Sequence, residues 1–376
     1  MRRGVSLALV GALLVACGGV SSRAPPSACG ASDALWIASD YSSSTVGALA
    51  LGGSTSFDPP TADLGQDPAL AVSRGRAFYV ARDNDTVFEL DPVCGTPMQK
   101  LDVHRASHSG TSDPQDVAVA ADGSLWIPLF QVPAVLVVSP SGSVATIDLS
   151  SYDGDGNPDA TAIAIVDTPA GEKAFVALAR LNPYPTSVQP SFMLRIDVAT
   201  ATVEATVVLA GRNPFGTMQN DGGILWLAEP GNFDDEAEPD AGVERFDTST
   251  SQTALFARET DLGGSVAEVS VSGSCAVAIV ADATPANATS LALFDPASAQ
   301  VLAPASASPF ATTGTGGGFF LEGLAWSRGA MLVGDRRRVA SGYPVHVFDG
   351  ACAPVERADA VFLPLPPVAV AVPVRE

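Results

Sequence analysis

Lysine is nearly missing from this chain. Lys100 and Lys173 are its only two, and arginine supplies the rest of 20 basic residues against 41 acidic ones, for a net charge of −21. Nucleic acid needs Lys and Arg to neutralise its phosphates, so this balance argues against it as a partner. The same charge would attract cations or basic partners, or simply give an acidic exterior in solution. Histidine occurs three times. No G-x-S-x-G, H-E-x-x-H, C-x-x-C-H or P-loop pattern is present, so the usual hydrolase, haem and nucleotide chemistries have no motif to rest on. C-x-x-C is absent as well, which removes the common dithiol redox motif. Beyond the N-terminus no run of about 20 apolar residues could span a bilayer.

What is there is a long, apolar, turn-rich chain. With 376 residues, 47% of them hydrophobic, it can build a large core and is too long for one ordinary sandwich. The stretch Asp113 to Leu149 sets the pattern. Gln115 to Ala120, Ser124 to Leu129, Ala134 to Val138 and Val144 to Leu149 read as four strands, cut by Ala121-Asp122-Gly123 and Ser139-Pro140-Ser141-Gly142 turns. Comparable units run from Asp67 to Val103, Asp159 to Leu209, Asn213 to Ala257, Ser265 to Ala303 and Phe320 to Ala360. The N-terminal part offers strands at Ala34 to Ala38 and Thr45 to Leu51, and a third around Ser54 to Leu64, but no first strand. Leu365 to Val372 resembles the first strands of the other units and would supply it. The expectation is an all-β, seven-bladed β-propeller over residues 31–376, closed by the C-terminal strand and three N-terminal strands. Third strands end in a repeated Asp turn at Asp91, Asp197, Asp247, Asp295 and Asp349, whose carboxylates are expected to accept turn N–H groups. On these units the chain resembles bacterial propellers of the YVTN/NHL/WD40-like superfamily, lipid-anchored envelope members included. The resemblance implies the fold, not an activity.

Residues 1–16 read as a signal peptide, with Arg2 and Arg3 before an apolar Val5 to Val15. Leu14-Val15-Ala16-Cys17 resembles a bacterial lipobox, which implies lipidation at Cys17, a membrane anchor and a cell-envelope location. Gly18 follows where an inner-membrane retention signal would carry Asp, which favours the outer membrane. Residues 17–30 are the lipidated cysteine and a flexible tether.

Four further cysteines suggest two disulfides in an exported protein. Blade register places Cys29 and Cys275 at first-to-second-strand turns, and Cys94 and Cys352 at third-to-fourth-strand turns of the same propeller face. That register favours Cys29–Cys94 and Cys275–Cys352, each tying one blade to the next.

Long insertions fall on the opposite face, at Val103 to Pro114, Ser150 to Asp159, Arg180 to Ser191, Glu229 to Gly242, Pro304 to Phe319 and Asp335 to Pro344. Asp153, Asp155, Asn157 and Asp159 resemble a D-x-D-G-x-x-D calcium loop, so Ca²⁺ is a candidate there, an ordinary Asp/Gly turn being the other reading. His104 and His108 beside Asp113 and Asp116 could suit Zn²⁺. Arg336-Arg337-Arg338 could hold an anion or pair with acidic loops across the funnel. Glu322-Gly323-Leu324-Ala325-Trp326 resembles the entry strand of gluconolactonase-like propellers, which implies a metal-binding Glu322, with Asn213 and Asp335 as possible partners. Strand packing explains the same pentapeptide. Two functions therefore stand: a lipid-anchored binding or scaffolding module for a protein or glycan partner, a periplasmic assembly factor among them, or a metal-dependent lactone hydrolase.

Overall fold

The computed structural model describes residues 32–52, 54–57, 59–105, 109–233, 237–282, 288–312 and 320–373. The signal peptide, Cys17, Cys29 and His108 lie outside them. The described chain folds into seven antiparallel sheets arranged as a β-propeller, with only a four-residue α-helix at Glu259–Leu262 and a few 3₁₀ turns. Among the described residues no helix is long and apolar enough to cross a membrane.

Blade one runs Pro68–Ser73, Arg76–Ala81, Thr86–Leu90, Pro97–Asp102 from the axis outward. Blades two to six repeat this order along the chain. Blade seven is closed by both chain ends. Pro367–Ala371 pairs antiparallel with Ala34–Ser39, setting Trp36 opposite Val370, and Ser44–Ala50 and Ser54–Phe57 follow outward. Pro367, the first residue of its strand, costs the ladder little.

The core lies between the sheets. Trp36 and Val370 of blade seven pack with Leu332 and Val347 of blade six. On its other side blade seven sets Leu35 and Ile37 against Leu70 and Tyr79 of blade one. Second strands therefore bury both faces, as Ala174 to Leu178 does. This is why they read as unbroken apolar runs while outer strands such as Thr202–Val208 alternate exposed and half-buried positions.

Several strands depart from the expected pattern. The strand expected around Ser54 to Leu64 covers Ser54–Phe57, and Ala62–Leu64 is a 3₁₀ turn. The first strand of blade two narrows from Gln115–Ala120 to Ala118–Val119. Asp116 breaks the ladder: its Oδ1 accepts the N–H of Val117 at 2.8 Å, and its Oδ2 accepts that of Ile163 in blade three at 3.1 Å. The outer strand of blade six splits into Val355–Glu356 and Val361–Leu363, both paired with Tyr343–Asp349.

The turn aspartates behave as expected in four cases. Asp91 Oδ1 accepts from Val93 and Cys94, Asp197 from Thr200, Asp247 from Ser249 and Thr250, and Asp295 from Ala297. Asp349 instead binds Arg357 through Oδ2 and Nε at 2.8 Å. Cys275 and Cys352 form the expected disulfide between blades five and six, with Cα atoms 5.4 Å apart. Cys94 is also disulfide-bonded, and its expected partner, Cys29, lies outside the described residues.

Candidate binding face

The face opposite the disulfide turns is built by the second-to-third-strand loops and the loops between blades. Around the axis the ring is stapled through side chains. Ser73 Oγ accepts the N–H of Val119 at 3.0 Å, joining blade one to blade two, and Asp116 joins two to three. Gln219 exchanges two 2.7 Å hydrogen bonds with the Val271 backbone, joining four to five. Glu268 accepts Gly323 and Leu324 N–H at 2.9 Å, joining five to six. These bonds replace inter-sheet ladders that a radial arrangement cannot make. Burial pushes the carboxyls of Asp116 and Glu268 up, to about 6 and about 7.

Inner strands of blades three to six each carry a register shift near their start, between Ala160 and Ala162, Phe215 and Gln219, Val266 and Glu268, and Leu321 and Leu324. Such bulges re-aim side chains toward a rim. In blade six the shift presents Glu322, which pairs with Arg336. Arg336 also lies over the Tyr41 ring of blade seven at 5.1 Å. Beside them Arg82 Nη2 meets Asp67 Oδ1 at 2.5 Å, and its Nη1 reaches Gln115 at 3.3 Å. The mouth above blades six, seven, one and two is thus a ring of internally neutralised charge.

The lactonase candidates do not converge. Glu322 faces blade seven through Arg336, which also reaches the Pro367 carbonyl at 3.4 Å. Asp335 is buried and turns to its own blade, meeting Arg337 Nη2 at 2.8 Å and His346 Nε2 at 3.2 Å. Phe310 of blade five stacks on His346 at 4.5 Å, so Asp335 and Glu322 look toward opposite neighbours. Asn213 sits in blade four with φ 59°, its Nδ2 donating to Gly231 O at 2.7 Å. Gly323, Leu324 and Trp326 of the Glu322 pentapeptide each have a structural role. Gly323 has φ 88°, and a Cβ there would lie 2.9 Å from Val370 N of the closing strand. Leu324 is buried, and Trp326 Nε1 reaches Ser270 O at 3.5 Å. Of the two readings of the arginine run, anion holding or pairing across the funnel, the structure shows pairing, but Arg336 and Arg337 take carboxylates of their own blade, which lie nearest along the same sheet.

The calcium-loop residues are directed to separate partners. Asp153 Oδ2 lies 3.5 Å from Arg180 Nε, and Asp155 Oδ1 accepts Asn157 N–H at 2.9 Å. Asp159 accepts Leu181 N–H at 2.7 Å and Asn157 Nδ2 at 3.0 Å. Burial, with Asp155 and Asp153 nearby, pushes Asp159 up to about 7. Asp159, Asp113 and Asn213 share one role: each precedes an inner strand in the left-handed region, which Asp and Asn tolerate better than most residues. His104 Nδ1 binds Asp85 Oδ2 at 2.7 Å, while Asp113 and Ser112 donate their N–H groups to Asp85 Oδ1. Among the described residues no three His, Cys, Asp or Glu side chains gather as a metal-holding group.

Several polar groups escaped sequence reasoning. Asp85, Tyr41 and His346 belong to no motif, although Asp85 lies in a polar Asp83-Asn84-Asp85 break between two apolar strands, which could have marked it. Glu229 and Glu244 are both fully buried in adjacent strands of blade four, and Glu244 accepts Gly211 N–H at 3.0 Å. Burial raises both carboxyls, and Glu244 beside it raises Glu229 further. A carboxyl raised in the fold lends stability that is complete below its ordinary range, near 4.5, and is lost as pH climbs through the raised value. Glu229→Gln removes one of the two charges while keeping the shape. Melting curves should show wild type and variant alike at pH 5. At pH 8 the variant should be more stable by roughly 1–3 kcal/mol. Equal melting at pH 8 would mean that the pair is already compensated.

No family model matches this chain, and no curated protein matches it. Solved structures do. The chain is similar to a putative 6-phosphogluconolactonase from Bacteroides fragilis NCTC 9343, at 12% identity over 90% of this chain and 97% of that one, with a TM-score of 0.56. The WD40 repeats of RRP9 align at 13% identity over 82% of this chain and 84% of theirs, TM-score 0.53. Dihydro-heme d1 dehydrogenase NirN aligns at 13% identity and TM-score 0.50 over 90% of this chain, which spans 65% of that protein's length. At these identities the likeness is one of fold, the seven-bladed β-propeller.

Proposed function

We propose that this chain is a cell-envelope binding or scaffolding module, anchored by lipid at Cys17 on the outer membrane, whose insertion-bearing face engages a protein or glycan partner. The observation that carries the reading is the division of labour between the two faces: short Asp-capped turns and a disulfide on one, long irregular loops on the other. Rigid scaffolds with elongated loops on one side commonly bind through that side. The anchor rests on the Leu14-Val15-Ala16-Cys17 sequence alone.

A photo-crosslinking residue placed in the producing cell tests the face. Replacement of Asp155 or Asp240, on the insertion face, should yield a discrete adduct. Replacement of Ser141 or Thr250, in turns of the other face, should not. Adducts from the turns alone, or from no position, would sink the reading. The second reading, hydrolysis of a lactone at Glu322, draws on the names of its fold neighbours and on the bulge that presents Glu322 at the funnel. Turnover of a lactone panel that disappears in Glu322→Gln would favour it over binding.

A further inference from the structure

Apolar side chains crowd one sector of the insertion face. Tyr184 is 64% exposed, Val188 60%, Phe215 42% and Phe233 36%. They come from blades three and four, and ring contacts within each pair plus one hydrogen bond between the two loops bring them to the same sector. Phe130 of blade two meets Tyr184 edge-on at 6.2 Å. Ser187 N–H donates to Asn232 Oδ1 at 2.8 Å, which locks the blade-three loop to the blade-four loop next to Val188 and Phe233. Phe233 then meets Phe215 edge-to-face at 4.8 Å. Phe215 stands at the funnel, since the bulge of its strand leaves Phe215, Gly216 and Thr217 exposed. Exposed apolar side chains scattered singly are ordinary; a contiguous run of them, rimmed by polar groups, marks an interaction site.

The rim is acidic at both ends. Asn157, in the Asp153–Asp159 loop, donates to the Phe130 carbonyl at 2.9 Å, so exposed Asp155 borders one end. Glu238 and half-exposed Asp240 border the other, beside Asn232, and share the single cation of Arg212, so this end keeps one net negative charge. The arginines of these loops are already engaged. Arg180 stacks on Phe192 at 3.9 Å and reaches Tyr152 O, and Arg212 binds Glu238 and Asp240 at 2.7 and 2.9 Å. Arg258, on the outer strand of blade four, donates to Pro239 O.

From this arrangement we infer that the ledge of Phe130, Tyr184, Val188, Phe215 and Phe233 is the docking surface for a basic polypeptide segment, in which an apolar or aromatic residue is flanked by Lys or Arg. The inference rests on the binding reading above and narrows it to one partner class. Apolar anchors in a desolvated centre supply most interface energy, and complementary charge supplies orientation and encounter rate. A chain of net charge −21 with an acidic rim around an apolar strip is complementary to such a segment. A neutral glycan would gain nothing from the acidic rim.

The test is selection of a phage-displayed random dodecapeptide library on the purified full-length chain, followed by affinity measurement on wild type and on the variant Tyr184→Ser with Phe233→Ser. Both positions are exposed, so the variant should melt with wild type. Enriched peptides should combine an aromatic or branched aliphatic residue with Lys or Arg. They should bind the variant about tenfold or more weakly and lose affinity as salt rises. Enriched peptides that bind the variant as well as wild type would overturn the ledge and leave the binding reading standing. Neutral or acidic consensus sequences would overturn the partner class, and so would stabilisation of the chain by soluble polysaccharide with no enriched peptide. Enrichment of nothing, with no polysaccharide effect, would overturn both this inference and the binding reading.

Discussion

A chain ending at Pro364 is expected to lose cooperative unfolding altogether. Pro367–Ala371 is the inner strand of blade seven, and its loss leaves Ala34–Ser39 with an unpaired edge. It also uncovers Trp36, Leu35 and Ile37, which are fully buried in the intact ring. Ring closure has no partial form: blade seven faces blade six on one side and blade one on the other, so opening it exposes two inter-blade cores. The cost is comparable to the whole stability of a domain, about 5–15 kcal/mol. Calorimetry of the truncated chain should therefore show no sharp transition. A circular permutant that carries residues 365–376 ahead of residue 32 restores the pairing in one hairpin and should melt cooperatively again. A truncated chain melting within a few degrees of wild type would show that the ring does not depend on this strand.

Removal of the Cys275–Cys352 disulfide should have the next largest effect. The bridge closes a loop of 77 residues, for which chain entropy gives roughly 4 kcal/mol of destabilisation on its loss. Cys352→Ser is the cleaner variant, because Cys275 is fully buried and a lone thiol is tolerated there better than a hydroxyl. Its Tm should fall by several degrees in oxidising buffer, and a reductant, which also opens the bridge at Cys94, should lower both proteins and close the gap between them. Because the bridge joins blades five and six on the turn face, the ledge between blades two and four should keep its affinity for selected peptides even as stability drops. A variant as stable as wild type would mean that the Glu268 staple alone fixes these two blades.

Much of this architecture was legible because it is carried by local chemistry. Third strands ending in Asp, apolar runs of blade-strand length, and Gly-containing turns each leave a mark within a few residues, and seven repetitions made the count readable. The closing strand was legible for the same reason: Pro367-Val368-Ala369-Val370 copies Pro68-Ala69-Leu70-Ala71 in kind. Register along the repeats also placed Cys275 beside Cys352. The candidate chemistry was not legible. Glu322, Asn213 and Asp335 each fit a motif by residue type, but a motif does not say which side of a sheet a side chain takes, and one residue of bulge decides that. Asp153, Asp155 and Asp159 read as a cation loop because carboxylates are close in sequence, and it is the fold that sets their oxygens beside Arg180, Asn157 and Leu181.

By itself the sequence determined the all-β class, the number of blades, the way the ends meet and which face carries the long loops, since each follows from strand period, turn chemistry and spacing along one chain. Only the tertiary structure decided how charges pair at the funnel, which acids are buried, and that Phe130, Tyr184, Val188, Phe215 and Phe233 stand together. Those residues are up to 103 positions apart in the chain, and no local pattern joins them. They meet because neighbouring blades fan from one axis, so loops from consecutive units converge at the rim, where packing between loops rather than periodicity sets the contacts.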